Sequence, residues 1–318
     1  MSGNVIALAA VMLAGTVTAQ TRSSYTPQRT PDGQPDLQGV WTNVTITPLE
    51  RPANLAGKEF FTPAEARQYE KDTVERNNAD RRDGGAQADL TRAYNDAWYD
   101  RGTKVVETLR TSLVIDPPDG RIPRVVSKGA AQGAGGPPLG FGRPPEGPED
   151  RSLPERCILW PTAGPPMMPS FYNNNYQIVQ SPGYVTILVE MIHDARIIPI
   201  DSRPHVDSKV RQWMGDSRGH WEGNTLVVET TNFNDKTRFQ RAGANMHLVE
   251  RFTRTAPDTL TYEFTVTDPS AFSKPWTAQI PMKRTDGPII EYACNEGNYA
   301  MEGMLAGARA DEKKAASK

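Results

Sequence analysis

The feature that most constrains this chain is a period-two alternation of apolar and polar residues that begins near 176 and runs to 294. It covers Tyr176–Gln180, Tyr184–His193, Arg196–Ile200, Ser217–Glu222, Thr225–Thr231, Met246–Arg254, Leu260–Thr267, Trp276–Lys283 and Ile289–Cys294. Such alternation puts successive side chains on opposite faces of a strand. The links are short and rich in turn formers: Ser181-Pro182-Gly183, Gly223-Asn224, Ala256-Pro257-Asp258 and Asp286-Gly287-Pro288. Consecutive strands with such links pair antiparallel. Further strands are expected at 40–46, Val105–Ile115 and Ile122–Val126. The expected fold is mainly β, an antiparallel meander closing into a barrel.

The rest of the chain reads as decoration of that sheet. Val5–Val17 is an apolar run ending in the small-residue pattern Val17-Thr18-Ala19, so 1–19 reads as a signal peptide. The expected location is periplasmic or secreted. Residues 20–36 read as a polar, Pro-containing extended arm, 37–309 as one β-rich domain, and 310–318 as a solvated, disordered tail. Thr62-Pro63-Ala64-Glu65 is a capping box with Pro at the first helical position, opening a charged surface helix expected over 62–83. Residues 128–169 are dense in Gly and Pro and read as a long loop; loops of that length are functional or disordered. The two cysteines, Cys157 and Cys294, most simply pair in an oxidising compartment, with two unrelated buried thiols as the alternative.

Composition excludes several classes. A net charge of −2 offers no basic stripe for nucleic acid. A mean hydropathy of −0.58 excludes a polytopic membrane protein, and the apolar run is too short for a membrane span. The 4 histidines fall between His193 and His247 without the close spacing of a metal motif, so neither a metal nor a cofactor is expected.

Strand faces nominate the site. Val185, Ile187, Val189, Met191 and His193 share one face of their strand, which directs the His193 ring inward beside Asp194 and Arg196. The alternative is a histidine that only hydrogen-bonds the rim. Pairing Phe252 with Leu260 puts Glu250 on the apolar side opposite Tyr262, whereas a slip by one exposes it. Gly223-Asn224 sets Glu222 opposite Thr225, His220 opposite Val227 and Arg218 opposite Glu229, the last as a cross-strand ion pair. Candidate catalytic residues are therefore His193, Asp194, Arg196, Asp216, Arg218 and Glu250. Candidate ligand-binding residues are Trp41, Trp213, Tyr262, Phe264 and Trp276.

Two resemblances add to this. Gly39-x-Trp41 entering a strand resembles the opening of lipocalin-like barrels, where the Trp plugs one end. The segments DGQPDLQGVW (32–41), RTSLVIDPPDGRIP (110–123), YNNNYQIVQ (172–180), EMIHDARIIPID (190–201), RQWMGDSRGHWEGNTLVVETTNF (211–233) and YACNEGNYAMEGMLAGAR (292–309) together resemble a family of uncharacterised secreted proteins of environmental Gram-negative bacteria. That resemblance implies an exported, single-domain, β-rich protein and carries no catalytic residues. Three functions compete. The first is an exported lipocalin-like barrel that binds a small, apolar ligand. The second is a periplasmic hydrolase, isomerase or lyase with a His193-centred acid–base site. The third is an envelope-associated partner protein.

Overall fold

A computed structural model describes residues 25–91, 95–126 and 145–317. The stretch 1–19 expected to be a signal peptide and residues 128–144 of the expected 128–169 loop lie outside the described residues. Ten strands form one sheet: β1 (Gly39–Thr42), β2 (Val114–Asp116), β3 (Asn175–Ser181), β4 (Tyr184–Val189), β5 (Ala195–Pro199), β6 (Asp216–Glu222), β7 (Thr225–Thr231), β8 (His247–Ala256), β9 (Thr259–Thr267) and β10 (Trp276–Thr285). Their order is β5-β4-β3-β1-β10-β9-β8-β7-β6, with β2 also on β10, and every pairing is antiparallel. Two meanders, β3–β5 and β6–β10, are thus joined by the N-terminal strand. Trp41 faces Tyr176 across one ladder and Arg284 across the other.

The expected barrel closure is not met by a ladder. Strands β5 and β6 end the sheet and share no backbone pairing. Side chains meet there instead: a Cβ on Gly219 would lie 2.9 Å from Ile200 and 3.0 Å from Ile198. The long 200–215 connection imposes no hairpin register, so nothing local zips these two edges.

The alternation does fix the core. Val185, Ile187 and Val189 from β4, Leu248 and Phe252 from β8, and Leu260, Tyr262, Phe264 and Val266 from β9 are completely buried, as are Trp276, Ala278, Ile280 and Met282 from β10. The β6–β7 hairpin has the expected register, with Glu222 opposite Thr225 and Arg218 opposite Glu229. In the next hairpin Phe252 pairs with Tyr262, and Glu250 with Phe264. That is two residues from the expected register. A shift of two preserves faces, so Glu250 still points inward.

Several expectations fail for local reasons. Only Val114–Asp116 of the 105–115 run forms a strand; Leu109 takes φ 58° and breaks the extension. Residues 122–126 contribute a single bridge, Val125 to Phe272. No strand forms at 289–294, which follows Pro288 and hangs on side-chain bonds. The arm at 25–36 folds back on itself, bridging Arg29 to Pro35.

The helices also differ. Helix α1 (Pro63–Asn77) has the capping box: the Glu65 amide donates to Thr62 Oγ1 at 3.3 Å and the Thr62 amide to Glu65 Oε2 at 2.8 Å. It stops at the Asn77-Asn78 pair rather than reaching 83, and α2 (Gly85–Thr91) follows. Helix α1 buries only Ala66 and Thr73 and lies in a small satellite cluster with Phe61 and Val105. Helix α3 (Tyr299–Ala316) replaces the expected disordered tail, because its Ala, Met, Glu and Lys residues are strong helix formers. Cys157 and Cys294 form a disulfide, with Cα atoms 5.7 Å apart, and tie the second half of the Pro/Gly-rich loop to the segment before α3.

Candidate functional site

Strands β5, β8 and β9 bring together a buried polar centre. Arg196 Nη1 and Nη2 donate to Glu250 Oε1 and Oε2 at 3.0 and 2.5 Å. Tyr262 Oη donates to Glu250 Oε1 at 2.8 Å and accepts from the Met167 amide at 3.0 Å. Arg196 Nη2 also reaches Ser217 Oγ at 3.3 Å, and that hydroxyl pairs with Thr230 Oγ1 at 2.9 Å. Period two alone puts each of these groups inside, since Ser217, Glu250 and Tyr262 share faces with apolar neighbours. Burial, then the neighbouring Glu250 carboxylate, drives the Tyr262 phenol well above its ordinary range. Burial opposes the Arg196 charge, but the Glu250 carboxylate outweighs it and holds the guanidinium more firmly protonated. Every carboxylate oxygen and hydroxyl in this cluster has a partner, so the cluster is an internal cross-brace from β5 to β8 rather than an open acid–base pair.

His193 is not part of it. Strand β4 ends at Val189, and the Met191–His193 turn holds Ile192 at φ 62° and His193 at φ 48°. The alternation stops there, so the ring is exposed, with Nδ1 3.2 Å from the Tyr292 carbonyl. Asp194 beside it is half-buried with Oδ2 unpartnered; burial raises its carboxyl above the usual range despite the opposing His193 charge.

Asp216 forms a third, separate cluster. Its Oδ2 lies 2.8 Å from His205 Nδ1 and accepts from the Val206 amide at 3.1 Å, while Arg218 Nη1 is 2.8 Å from Oδ1. This carboxylate fastens the 200–215 connection onto β6. It also takes the Arg218 guanidinium, so the expected Arg218–Glu229 ion pair does not form; Glu229 Oε2 instead lies 3.4 Å from His247 Nε2. The six catalytic candidates thus fall into three bonded groups, two of which, through Arg196 and Asp216, border one cleft.

The aromatic candidates are mostly core. Trp41 is fully buried, donates from Nε1 to the Leu37 carbonyl at 2.9 Å and carries the Arg254 guanidinium 5.6 Å above its ring. Phe264 packs 5.6 Å from Tyr262 and 5.8 Å from Trp276, centroid to centroid. Tyr262, Phe264 and Trp276 are completely buried and pack ring to ring, as core side chains do. Of the aromatic candidates, Trp213 lines a cleft of about 550 Å³ at the β5–β6 end, together with Arg196, Arg211, Asp216 and Ser217.

A larger cleft, about 690 Å³, lies elsewhere. One wall is the chain just after β1 (Ile46, Leu49), the second is α1 (Tyr69, Thr73), and the third is the disulfide-pinned loop (Trp160, Met168, Phe171). Arg76 and Arg101 stand in its lining, which contains no acidic residue among the described residues. None of these residues is nominated by strand periodicity. The available signal was the aromatic and Met content of a Pro-rich loop, Trp160-Pro161 and Met167-Met168-Pro169.

Among the described residues, no group of three or more His, Cys, Asp and Glu could hold a metal ion, and no helix is long and apolar enough to cross a membrane. Comparison of the chain with protein-family models, curated proteins and solved structures gave no match.

Proposed function

We propose that this is an exported protein that binds a small, largely apolar molecule in the 690 Å³ cleft. The cleft itself carries the reading. Its volume falls in the range of small-molecule sites, and its walls are Leu, Ile, Trp, Met and Tyr with a few polar groups. Export rests on the 1–19 signal-peptide pattern and agrees with the Cys157–Cys294 disulfide, which needs an oxidising compartment. In this reading the protein is periplasmic or secreted, belongs to the secreted Gram-negative family that its motifs resemble, and uses a lipocalin-like barrel, sealed by side chains at the β5–β6 seam, as a wall for a site built by loops. An acid–base site at His193 loses its geometric basis, because the ring faces solvent.

The test is fluorescence titration with Nile red, a neutral apolar probe. Micromolar binding that falls at least about fivefold in Ile46→Asp and Phe171→Asp, with unchanged melting, supports the site; the wall charge must be desolvated in the complex. Phe171 is exposed, so its replacement leaves the fold intact. Absence of binding, or binding indifferent to both substitutions, rejects it.

A further inference from the structure

We propose that the ligand of the large cleft is an amphipathic monoanion, an apolar chain or ring system ending in a carboxylate. This rests on the binding reading above and adds the charge of the ligand.

Among the described residues, two arginines and no acid line the cleft. Both guanidinium groups converge on the last turn of α1. Arg76 Nη2 donates to Thr73 Oγ1 at 3.1 Å, and Arg101 Nη1 donates to the Asn77 carbonyl at 2.7 Å. Neither has an ion-pair partner among the described residues. Arg101 Nε is buried without an acceptor, and the guanidinium lies 3.6 Å from the Tyr99 ring centroid, which fixes its plane. Nearby cations behave differently: Arg110 pairs with Glu59 at 2.8 Å, Arg156 with Glu149 at 3.0 Å and Lys104 with Glu70 at 2.8 Å. Carboxylates thus neutralise these cations, whereas among the described residues none lines the cleft.

The bonds that exist account for one nitrogen of each guanidinium, as supports for the α1 terminus. Of the remaining N–H groups, Arg101 Nε is buried with no acceptor, where an unpaired donor is costly, while the Arg76 guanidinium is exposed at the cleft mouth. A carboxylate between Arg76 and Arg101 would accept charge-assisted bonds from both. Its apolar body would cover Leu49, Leu113, Trp160 and Met168. A neutral ligand of the same shape would bury the walls and leave both cations unmatched.

The experiment is isothermal titration of the whole mature chain with sodium dodecanoate and with dodecan-1-ol, below their aggregation limits, at pH 7.5. Dodecanoate is expected to bind roughly tenfold tighter or better, the ordinary advantage of a charge-assisted bond in a partly dry site. The advantage should shrink in Arg76→Gln, vanish in Arg76→Gln/Arg101→Gln, and weaken with added salt while dodecan-1-ol binding stays constant. Arg76 is exposed, so the single variant remains informative if the double variant folds poorly. Equal affinity for the two probes, or a dodecanoate advantage that survives the substitutions, overturns the anionic ligand and leaves the binding site standing. Failure of both probes to bind overturns the site and the inference together.

Discussion

Arg196 and Arg101 occupy opposite situations in one molecule. Arg196 is held inside the sheet, its side chain 2 % exposed, with a carboxylate, a hydroxyl and, through Glu250, a phenol around it. Arg101 stands at the edge of an apolar cleft, with one carbonyl and the faces of Tyr99 and Phe171 beside it but no carboxylate among the described residues. A buried charge must be matched from within, since water cannot reach it. A charge beside a cleft can be matched by what enters. Arginines in two chemical settings thus do different work: one fastens strands that are far apart in sequence, the other is left available.

The largest effect should come from breaking the internal pair. Glu250→Ala leaves Arg196 charged and buried and should cost about 3–5 kcal/mol in chemical denaturation. Arg196→Met with Glu250→Leu should recover most of that loss; if the double variant is no better than the single, the cluster is not the cross-brace described. Tyr262→Phe removes the donor to Glu250 and the acceptor for the Met167 amide, and should cost about 1–3 kcal/mol by the same measurement. Arg76→Gln/Arg101→Gln should cost about 1–2 kcal/mol, the value of two partly exposed hydrogen bonds and a cation–π contact. A loss as large as that of Glu250→Ala would make these arginines structural and erase the contrast.

The smallest effect is expected at Asp194. Its carboxyl titrates above the usual range in the folded protein because burial disfavours the anion. The folded state therefore binds the proton more tightly than the unfolded chain does, and stability should rise as pH falls through the folded value. Asp194→Asn should raise stability at pH 7 by less than about 1 kcal/mol, since the group is partly exposed, with the gain disappearing near pH 4. Thermal melts at the two pH values check the sign.

What could be read in the sequence is what depends on neighbours in the chain. Alternation fixed the faces of β4, β8, β9 and β10 and put Tyr262 with Leu260 and Phe264, but it left Glu250 inside or outside according to the register, which the structure decides. Gly223-Asn224 fixed the register of β6 on β7. The capping box fixed the start of α1, and a count of two cysteines favoured the disulfide that the structure has. The same rule misplaced His193, because periodicity predicts direction only while the backbone stays extended, and Ile192 and His193 leave that region.

Only the tertiary structure decided which inward groups meet. Arg196 and Glu250 are 54 residues apart, and their pairing depends on how far the sheet curls before β5 reaches β6. The 690 Å³ cleft is more remote still, since its walls come from the chain after β1, from α1 and from a loop held by Cys157–Cys294. A strand's two faces are a local property, set by the pleat every two residues. A cavity is the space left between segments whose separation in sequence is long and whose approach is fixed by packing, so no single stretch of residues encodes it.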